Sequence, residues 1–254
     1  LKHLLEKVVF DDRVASNEVE NILKFETEQL NAALNDTLFD SDSVVWIYNA
    51  ETVQIKSQRD LNHQLSLICD DIYPDTPILR NELFNRHKVT SVISAARVNL
   101  LDAILANSDK QDLGFDANTF PPEKTIYFTL LQETGMHRKA DDGTYYLGEP
   151  QNDNVRAIWN ACSEFVAGSV EKPRKISELI TILKSSPYKL KQGVIEFWLP
   201  IFLYIKQQDF ALYEDGKFIL AVNKEVFEIL QKHPGDFTIK AYDVAGVKVD
   251  FFNK

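Results

Sequence analysis

The chain has 254 residues, 44% of them hydrophobic and 26% charged, with a formal net charge of −10. These values are ordinary for a globular protein and exclude a collagen-like or low-complexity chain. The charge is uneven, because residues 1–75 carry a net −9, residues 76–150 carry −2 and residues 151–254 carry +1. An acidic first third repels a phosphate backbone, so contact with nucleic acid would require a local cationic patch.

The first 56 residues are predicted to form a long helix followed by a β-hairpin. Residues 1–36 show helical periodicity. The face expected to be buried consists of Ile22, Leu23, Leu30, Ala33 and Leu34. Residues 44–55 read as two short strands around a turn at Asn49-Ala50, since apolar and polar side chains alternate there. The opening segment has no initiator methionine, so we expect the chain to be part of a longer protein.

Three helices are predicted between residues 57 and 105. The first ends before Pro74, which lacks a backbone N–H. Its core-facing side chains are expected to be Leu61, Leu65, Ile68, Cys69 and Ile72. The second is expected to begin at Thr76-Pro77, a capping hydroxyl followed by proline at the first helical position. Its buried side chains would be Ile78, Leu79 and Leu83. The third, capped by Thr90 or Ser91, is expected to bury Ile93, Ala96, Leu100 and Ile104.

The next segment is predicted to form a helix, a tight turn and a strand. The helix begins near Pro122 and ends at Gly135, which suits a left-handed C-terminal cap. Asp142-Gly143 is a turn signal, and residues 145–147 read as the strand. Helices followed by a turn and a short strand outline a winged helix, so residues 57–150 are expected to form one such module.

The remainder, residues 151–254, is predicted to form a second winged-helix-like module. Asn152 caps its first helix, and another helix begins at Ser177. Residues 191–208 form the most apolar helix of the chain. Because this helix is apolar on nearly all sides, it should be buried at the centre of the module.

A hairpin and a terminal pair of strands complete this second module. The hairpin turns at Asp215-Gly216 between two β-prone runs. Asn223 caps a helix that continues through Leu230, and residues 237–252 alternate like an edge pair of strands. The chain is therefore expected to be α+β and mostly helical, with tandem winged-helix-like modules and short β-hairpins. The predicted domains are residues 1–56, 57–150 and 151–254.

Common catalytic and cofactor signatures are absent from the sequence. It contains no G-x-G-x-x-G, C-x-x-C, H-E-x-x-H or G-x-S-x-G pattern. Gly143 and Gly148 have phosphate-loop spacing, but Glu149-Pro150 stands where Lys-Ser or Lys-Thr would be required. The five histidines are scattered without metal-ligand spacing. We therefore expect no enzyme activity in this chain, no cofactor or metal, and no ATP binding.

The two cysteines, Cys69 and Cys162, lie on predicted apolar helix faces. Small core residues in a reducing compartment explain them better than a disulfide does. The longest apolar run, residues 197–205, is far shorter than a membrane span. We expect a cytoplasmic protein without membrane association.

Cationic and amide side chains gather between the second and third predicted helices. The candidate anion- or partner-binding residues are Arg80, Asn85, Arg86, Lys88 and Arg97. If the chain turns between the two helices, these side chains converge and can hold a phosphate or an acidic partner loop. Alternatively, the arginines pair internally with the nearby acids Glu82, Asp75 or Asp102. Within the cluster we expect a structural role for Arg86 and a ligand role for Lys88, which has the more exposed loop position.

Two segments carry a resemblance to a known family. The first is residues 69–104, in which the matching positions are Cys69, Asp70, Tyr73, Pro77, Asn81, Glu82, Leu83, Asn85, Arg86, Ala96 and Arg97. The second is residues 173–219. Both resemble stretches of large bacterial P-loop ATPases of phage-defence loci, including the BREX type. The two segments cover less than half of the chain, and neither contains a catalytic motif. The resemblance implies that the nucleotide site lies elsewhere in the parent and that this chain is a non-catalytic, tandem winged-helix-like region.

The sequence therefore favours a non-catalytic interaction or regulatory region of a larger bacterial ATPase, with a role in anti-phage defence. Its partner would be another protein or another domain of the parent chain. The alternative is a DNA-binding winged-helix module of the same parent. In such a module the helix before the wing would contact the DNA bases. Those helices would be residues 121–138, which carry few cations, and residues 191–206, which are strongly apolar. The residues thus support DNA binding less well than the predicted fold does.

Overall fold

A computed structural model describes residues 13–39 and 44–242 of the chain. Contacts within the chain divide it into two units, residues 1–71 and residues 72–254. The boundary predicted after residue 56 therefore lies inside the first unit. The boundary predicted after residue 150 lies inside the second unit.

The first unit contains a long helix, a β-hairpin and a second helix. These elements are α1 (Arg13–Leu38), β1 (Trp46–Tyr48), β2 (Glu51–Val53) and α2 (Gln58–Ile72). The hairpin prediction is confirmed: β1 and β2 pair antiparallel, and Asn49 and Ala50 turn the chain with φ of 49° and 65°. The indole Nε1 of Trp46 donates to the carbonyl of Leu38 at 3.3 Å, which ties the hairpin to the C-terminal end of α1.

Both helices of the first unit were predicted, but the faces predicted to be buried are not buried. No side chain of α2 is buried; Leu65 is 48% exposed, and Cys69 and Ile72 are exposed as well. The prediction that the apolar stripe of α1 is buried is wrong, since Ile22, Leu30 and Leu34 are exposed. Amphipathic periodicity identifies which residues share a face, whereas burial depends on whether another element covers that face.

The second unit contains six helices and six strands among the described residues. The helices are α3 (Ser91–Asn107), α4 (Pro122–Tyr127), α5 (Arg156–Ala167), α6 (Ile176–Lys184), α7 (Gln192–Ile205) and α8 (Lys224–Lys232). The strands are β3 (His137–Lys139), β4 (Tyr145–Leu147), β5 (Arg174–Lys175), β6 (Phe210–Glu214), β7 (Lys217–Phe218) and β8 (Phe237–Ala241). Short 3-10 turns lie at residues 111–114 and 153–155, and a π turn at residues 128–132 extends α4.

These strands form two antiparallel sheets. β3 and β4 pair as a hairpin, and the second sheet has the strand order β5-β8-β6-β7. The turn between β6 and β7 is confirmed, with φ of 47° at Asp215 and 77° at Gly216. The edge position expected for residues 237–252 is wrong, because β8 lies between β5 and β6. The partner strand expected at residues 247–252 lies outside the described residues.

One predicted helix is absent. Residues 77–81 have no regular structure, and residues 82–88 form turns and bends. Side chains distant in sequence hold this segment extended: Asn154 accepts from the Ile78 amide at 2.8 Å and donates to the Ile78 carbonyl at 3.0 Å. Thr76 Oγ1 also donates to the carbonyl of Tyr188 at 2.6 Å. Because Asn154 occupies the backbone groups of Ile78, including the carbonyl that a helix would use as an acceptor, the local proline signal is overridden.

A single hydrophobic core includes residues from Leu79 to Ala241. Helix α7 lies at its centre, and every residue from Phe197 to Leu203 is buried. The ring of Trp159 on α5 packs edge-on against Phe202 and Trp198, at centroid distances of 5.0 Å and 6.3 Å. The prediction of a central buried helix is therefore confirmed.

The chain is a mixed α/β protein in which helices predominate. The helices within residues 13–39 and 44–242 are each too short or too polar to cross a membrane.

Candidate functional site

The predicted cationic cluster centres on a non-helical loop, residues 80–88, which we call the cationic loop. Arg80, Arg86, His87 and Lys88 are all exposed on it. Among the residues that the structure describes, none of these four side chains forms a salt bridge. The positive charges of Arg80, Arg86 and Lys88 are therefore presented to solvent, and the internal pairing with Glu82, Asp75 or Asp102 is not formed.

The backbone of the cationic loop is held against the first turn of α7. The amide of Gly193 donates to the carbonyl of Arg86 at 2.9 Å, and Lys191 Nζ donates to the carbonyl of Asn85 at 3.2 Å. The carbonyl oxygen of Phe84 lies so close to Gly193 that a Cβ atom there would overlap it. Gly193 thus permits an approach that no other residue allows.

Buried groups fix the inner side of the loop. Phe84 is fully buried, with its ring centroid 5.5 Å from that of Phe197 on α7. Asn81 Nδ2 donates to the carbonyl of Thr125 and to the hydroxyl of Thr129, both at 3.2 Å. The Asn81 side-chain oxygen accepts from the Leu83 amide at 3.0 Å. A side chain that satisfies backbone groups in this way replaces the hydrogen bonds of a helix.

Of the five predicted site residues, only three have exposed side chains. Arg80, Arg86 and Lys88 face solvent, although Arg86 Nε also donates to the Glu82 carbonyl. Asn85 is half-buried, and its side-chain Nδ2 donates to the carbonyl of Leu79 at 3.3 Å. Asn85 therefore shapes the loop from within.

The fifth predicted residue, Arg97, is buried. Its guanidinium donates to Glu196 on α7 at 2.8 Å, and Gln192 donates to the other oxygen of the same carboxylate at 3.0 Å. Burial lowers the pKa of Arg97 from its ordinary value, while the Glu196 carboxylate opposes that change. Asp102, one of the three acids considered as internal partners of the cluster, instead forms a 2.8 Å ion pair with Lys224. Arg97 thus joins α3 to α7 and does not belong to the exposed surface.

A second polar cluster, which the sequence did not suggest, lies beneath the β3-β4 hairpin. It consists of Asp112, Tyr127 and the buried His137. His137 Nε2 lies 3.0 Å from the Ser108 carbonyl, so that nitrogen carries the ring proton. His137 Nδ1 then accepts from the Tyr127 hydroxyl at 2.8 Å. The cluster connects the end of α3, helix α4 and strand β3.

Burial favours the neutral forms of both His137 and Tyr127. Burial lowers the pKa of His137, and the Ser108 carbonyl and Asp112 oppose that change. Burial, with the nearby Asp112 carboxylate, raises the pKa of Tyr127. Asp112 has φ of 50°, an unusual value for a residue other than glycine, and this conformation leaves no simple sequence signal. Sequence reasoning therefore had no periodicity or motif by which to find the cluster.

The described residues offer neither a cluster of metal ligands nor a buried thiol that ionises readily. Within residues 13–39 and 44–242, no three histidine, cysteine or carboxylate side chains gather as metal ligands would. Cys162 is buried, and burial raises the pKa of its thiol to about 12, so it remains protonated. Cys69 is exposed, contrary to the expectation of a core position.

Comparisons with protein-family models, with curated proteins and with solved structures find no match.

We predict that Arg97→Met destabilises the chain by about 3 kcal/mol, because it leaves the Glu196 carboxylate buried without a cation. The double variant Arg97→Met with Glu196→Leu should recover most of that loss. Urea unfolding measures both variants. Lys224→Met, which breaks the exposed pair with Asp102, is the matched control and should change stability little. An equal loss in Arg97→Met and Lys224→Met would contradict a buried pair.

We also predict that the free energy of unfolding falls as the pH drops below the ordinary histidine pKa of about 6.5. The native state disfavours protonated His137, so the unfolded state takes up that proton first. The contribution of neutral His137 to stability is complete above the ordinary histidine pKa. It is lost as the pH falls through the lowered pKa of His137 in the folded protein. His137→Gln should flatten this part of the profile, whereas the exposed His233→Gln should leave it unchanged. Identical profiles for the wild type and His137→Gln would rule out this linkage.

Proposed function

We propose that this chain is a non-catalytic interaction region of a larger bacterial ATPase and that the cationic loop binds an acidic surface. That surface belongs to a protein partner or to another domain of the parent. The observation that carries the proposal is that the cationic loop combines a fixed backbone with exposed cationic side chains. Its backbone is fixed against α7, while Arg80, Arg86 and Lys88 remain exposed without ion-pair partners among the described residues.

A fixed loop with unpaired cations suits protein recognition. Holding the backbone in place reduces the entropy lost on binding. Exposed charges at a contact contribute specificity and association rate more than affinity. An unpaired arginine can engage a carboxylate with two parallel hydrogen bonds.

The order of elements in the second half of unit two supports a winged-helix-like fold there. Helix α5, strand β5, helices α6 and α7, and strand β6 follow in that sequence, and β8 lies between β5 and β6. The β6-β7 turn occupies the position of a wing, and α8 is inserted before the last strand. For residues 57–150 the support is weaker, because the middle helix of that module is absent.

The burial of α7 favours a protein partner over DNA. In a winged helix, the helix before the wing would enter the DNA groove. Here that helix is α7, which is surrounded by the core and covered at its first turn by residues 84–86. DNA binding remains the second candidate, because the exposed cations Arg80, Arg86 and Lys88 would suit phosphates equally well.

The two segments that resemble phage-defence ATPases contact each other in the fold. These segments, residues 69–104 and residues 173–219, contain the two surfaces that meet at the Gly193 contact. The placement of the chain in such a parent, with a role in anti-phage defence, rests on this resemblance.

We predict that Lys88→Glu weakens binding of a fluorescein-labelled, glutamate-rich peptide by about tenfold without changing the melting temperature. Fluorescence anisotropy measures the binding, with a labelled DNA duplex as the second probe over a series of salt concentrations. Lys172→Glu makes the same charge change at another exposed lysine and should have little effect. Tight, salt-dependent DNA binding that Lys88→Glu abolishes would favour the DNA alternative. If neither probe distinguishes Lys88→Glu from Lys172→Glu, the proposal fails.

A further inference from the structure

Helix α1 (Arg13–Leu38) carries an exposed apolar stripe. At about 100° per residue, the stripe occupies an arc of about 120° on the helix. Its members are Val19, Ile22, Leu23, Leu30, Ala33 and Leu34. Ile22, Leu30 and Leu34 are 46%, 59% and 48% exposed, and Val19 and Leu23 are half-buried. Apolar stripes of this kind normally pack against another helix, because an isolated helix is only marginally stable in water.

The charges around the stripe have a single sign. The charged side chains within it or at its borders are Glu18, Glu20, Glu26 and Asp36. Glu26 lies inside the stripe, between Leu23 and Leu30, where a partner helix would make its closest approach. Lys24 lies on the other side of the helix, outside the stripe. A covering helix must therefore complement an apolar seam with negative charge at its centre and edges.

A second copy of α1 does not meet this requirement. Glu26 lies at the midpoint between Arg13 and Leu38. A fully overlapping pair of α1 helices would bring the two Glu26 carboxylates together at the seam in either the parallel or the antiparallel orientation. Like charges that face each other across a helix pair are destabilising, and the acidic borders of the stripe would add to this repulsion.

We infer that the α1 stripe binds an amphipathic helix of another protein, which places a lysine or arginine opposite Glu26. Leucine-type side chains of that helix cover Ile22, Leu30 and Leu34. A cation at the seam offsets the cost of covering the Glu26 carboxylate and selects the partner's register. This site lies in the first unit and is independent of the cationic loop, so either can fail without the other.

Two synthetic peptides test the inference. Both carry the same leucine seam, and they differ only in having lysine or glutamate at the position opposite Glu26 and at the flanking positions. The intact chain should bind the lysine peptide about tenfold more tightly than the glutamate peptide. Glu26→Lys should reverse that preference. Glu28→Lys adds the same charge on the opposite face of α1 and should leave the preference unchanged.

Titration calorimetry gives the affinities, and sedimentation equilibrium gives the oligomeric state. Each outcome decides the question. Equal affinities for the two peptides, or the same response to Glu26→Lys and Glu28→Lys, would overturn the inference. Self-association that Leu30→Asp abolishes would identify a second copy as the occupant. Peptide binding only after removal of residues 1–12 would assign the stripe to that segment of the same chain.

Discussion

The contact between the cationic loop and the first turn of α7 is the constraint on which the second unit depends. Helix α7 is apolar on nearly all sides, so it can be stable only where protein covers its whole circumference. Strands and helices from residues 151–242 cover part of it. Residues 84–86 cover its beginning, where Gly193 allows the backbones to meet. Residues on both sides of position 150 therefore share one core, and neither side would bury α7 alone.

The same contact determines what the molecular surface offers. A helix enclosed in this way cannot enter a DNA groove, so any recognition falls to the elements around it. The cationic loop is fixed on its inner side by Phe84 and Asn81, and its charges project outward from that fixed backbone. The first unit presents the opposite chemistry, an apolar stripe bordered by carboxylates on α1. The two proposals therefore assign a different occupant to each surface.

Local signals predicted much of the secondary structure. Thr90 and Asn223 cap α3 and α8 as expected, the Asp215-Gly216 turn forms, and residues 191–208 contain the buried helix. Each of these features depends on neighbours in sequence, such as a hydroxyl cap or an apolar run. A one-dimensional pattern contains enough information to specify them.

The errors arise where contacts distant in sequence decide the outcome. Asn154 holds Ile78 extended across 76 residues, which no local pattern encodes. In sequence, Arg97 could not be distinguished from its cationic neighbours, but in the fold it is buried in an ion pair with Glu196 on α7. His137 and Tyr127 meet through a bend at Asp112 that has no sequence signature. The cationic character of Arg80, Arg86 and Lys88 is visible in sequence, whereas their exposure and their separation from Arg97 required the fold.

Replacement of Gly193 by alanine tests most directly the claim that the loop is held by α7. In an ordinary helix this change stabilises by about 1 kcal/mol. Here the added Cβ overlaps the Phe84 carbonyl, so the free energy of unfolding should fall and the residue 193 amide should exchange faster with solvent. Gly235→Ala is the control, because a Cβ there meets open space. A Gly193→Ala protein that is more stable than the wild type, with unchanged amide exchange at residue 193, would contradict the account.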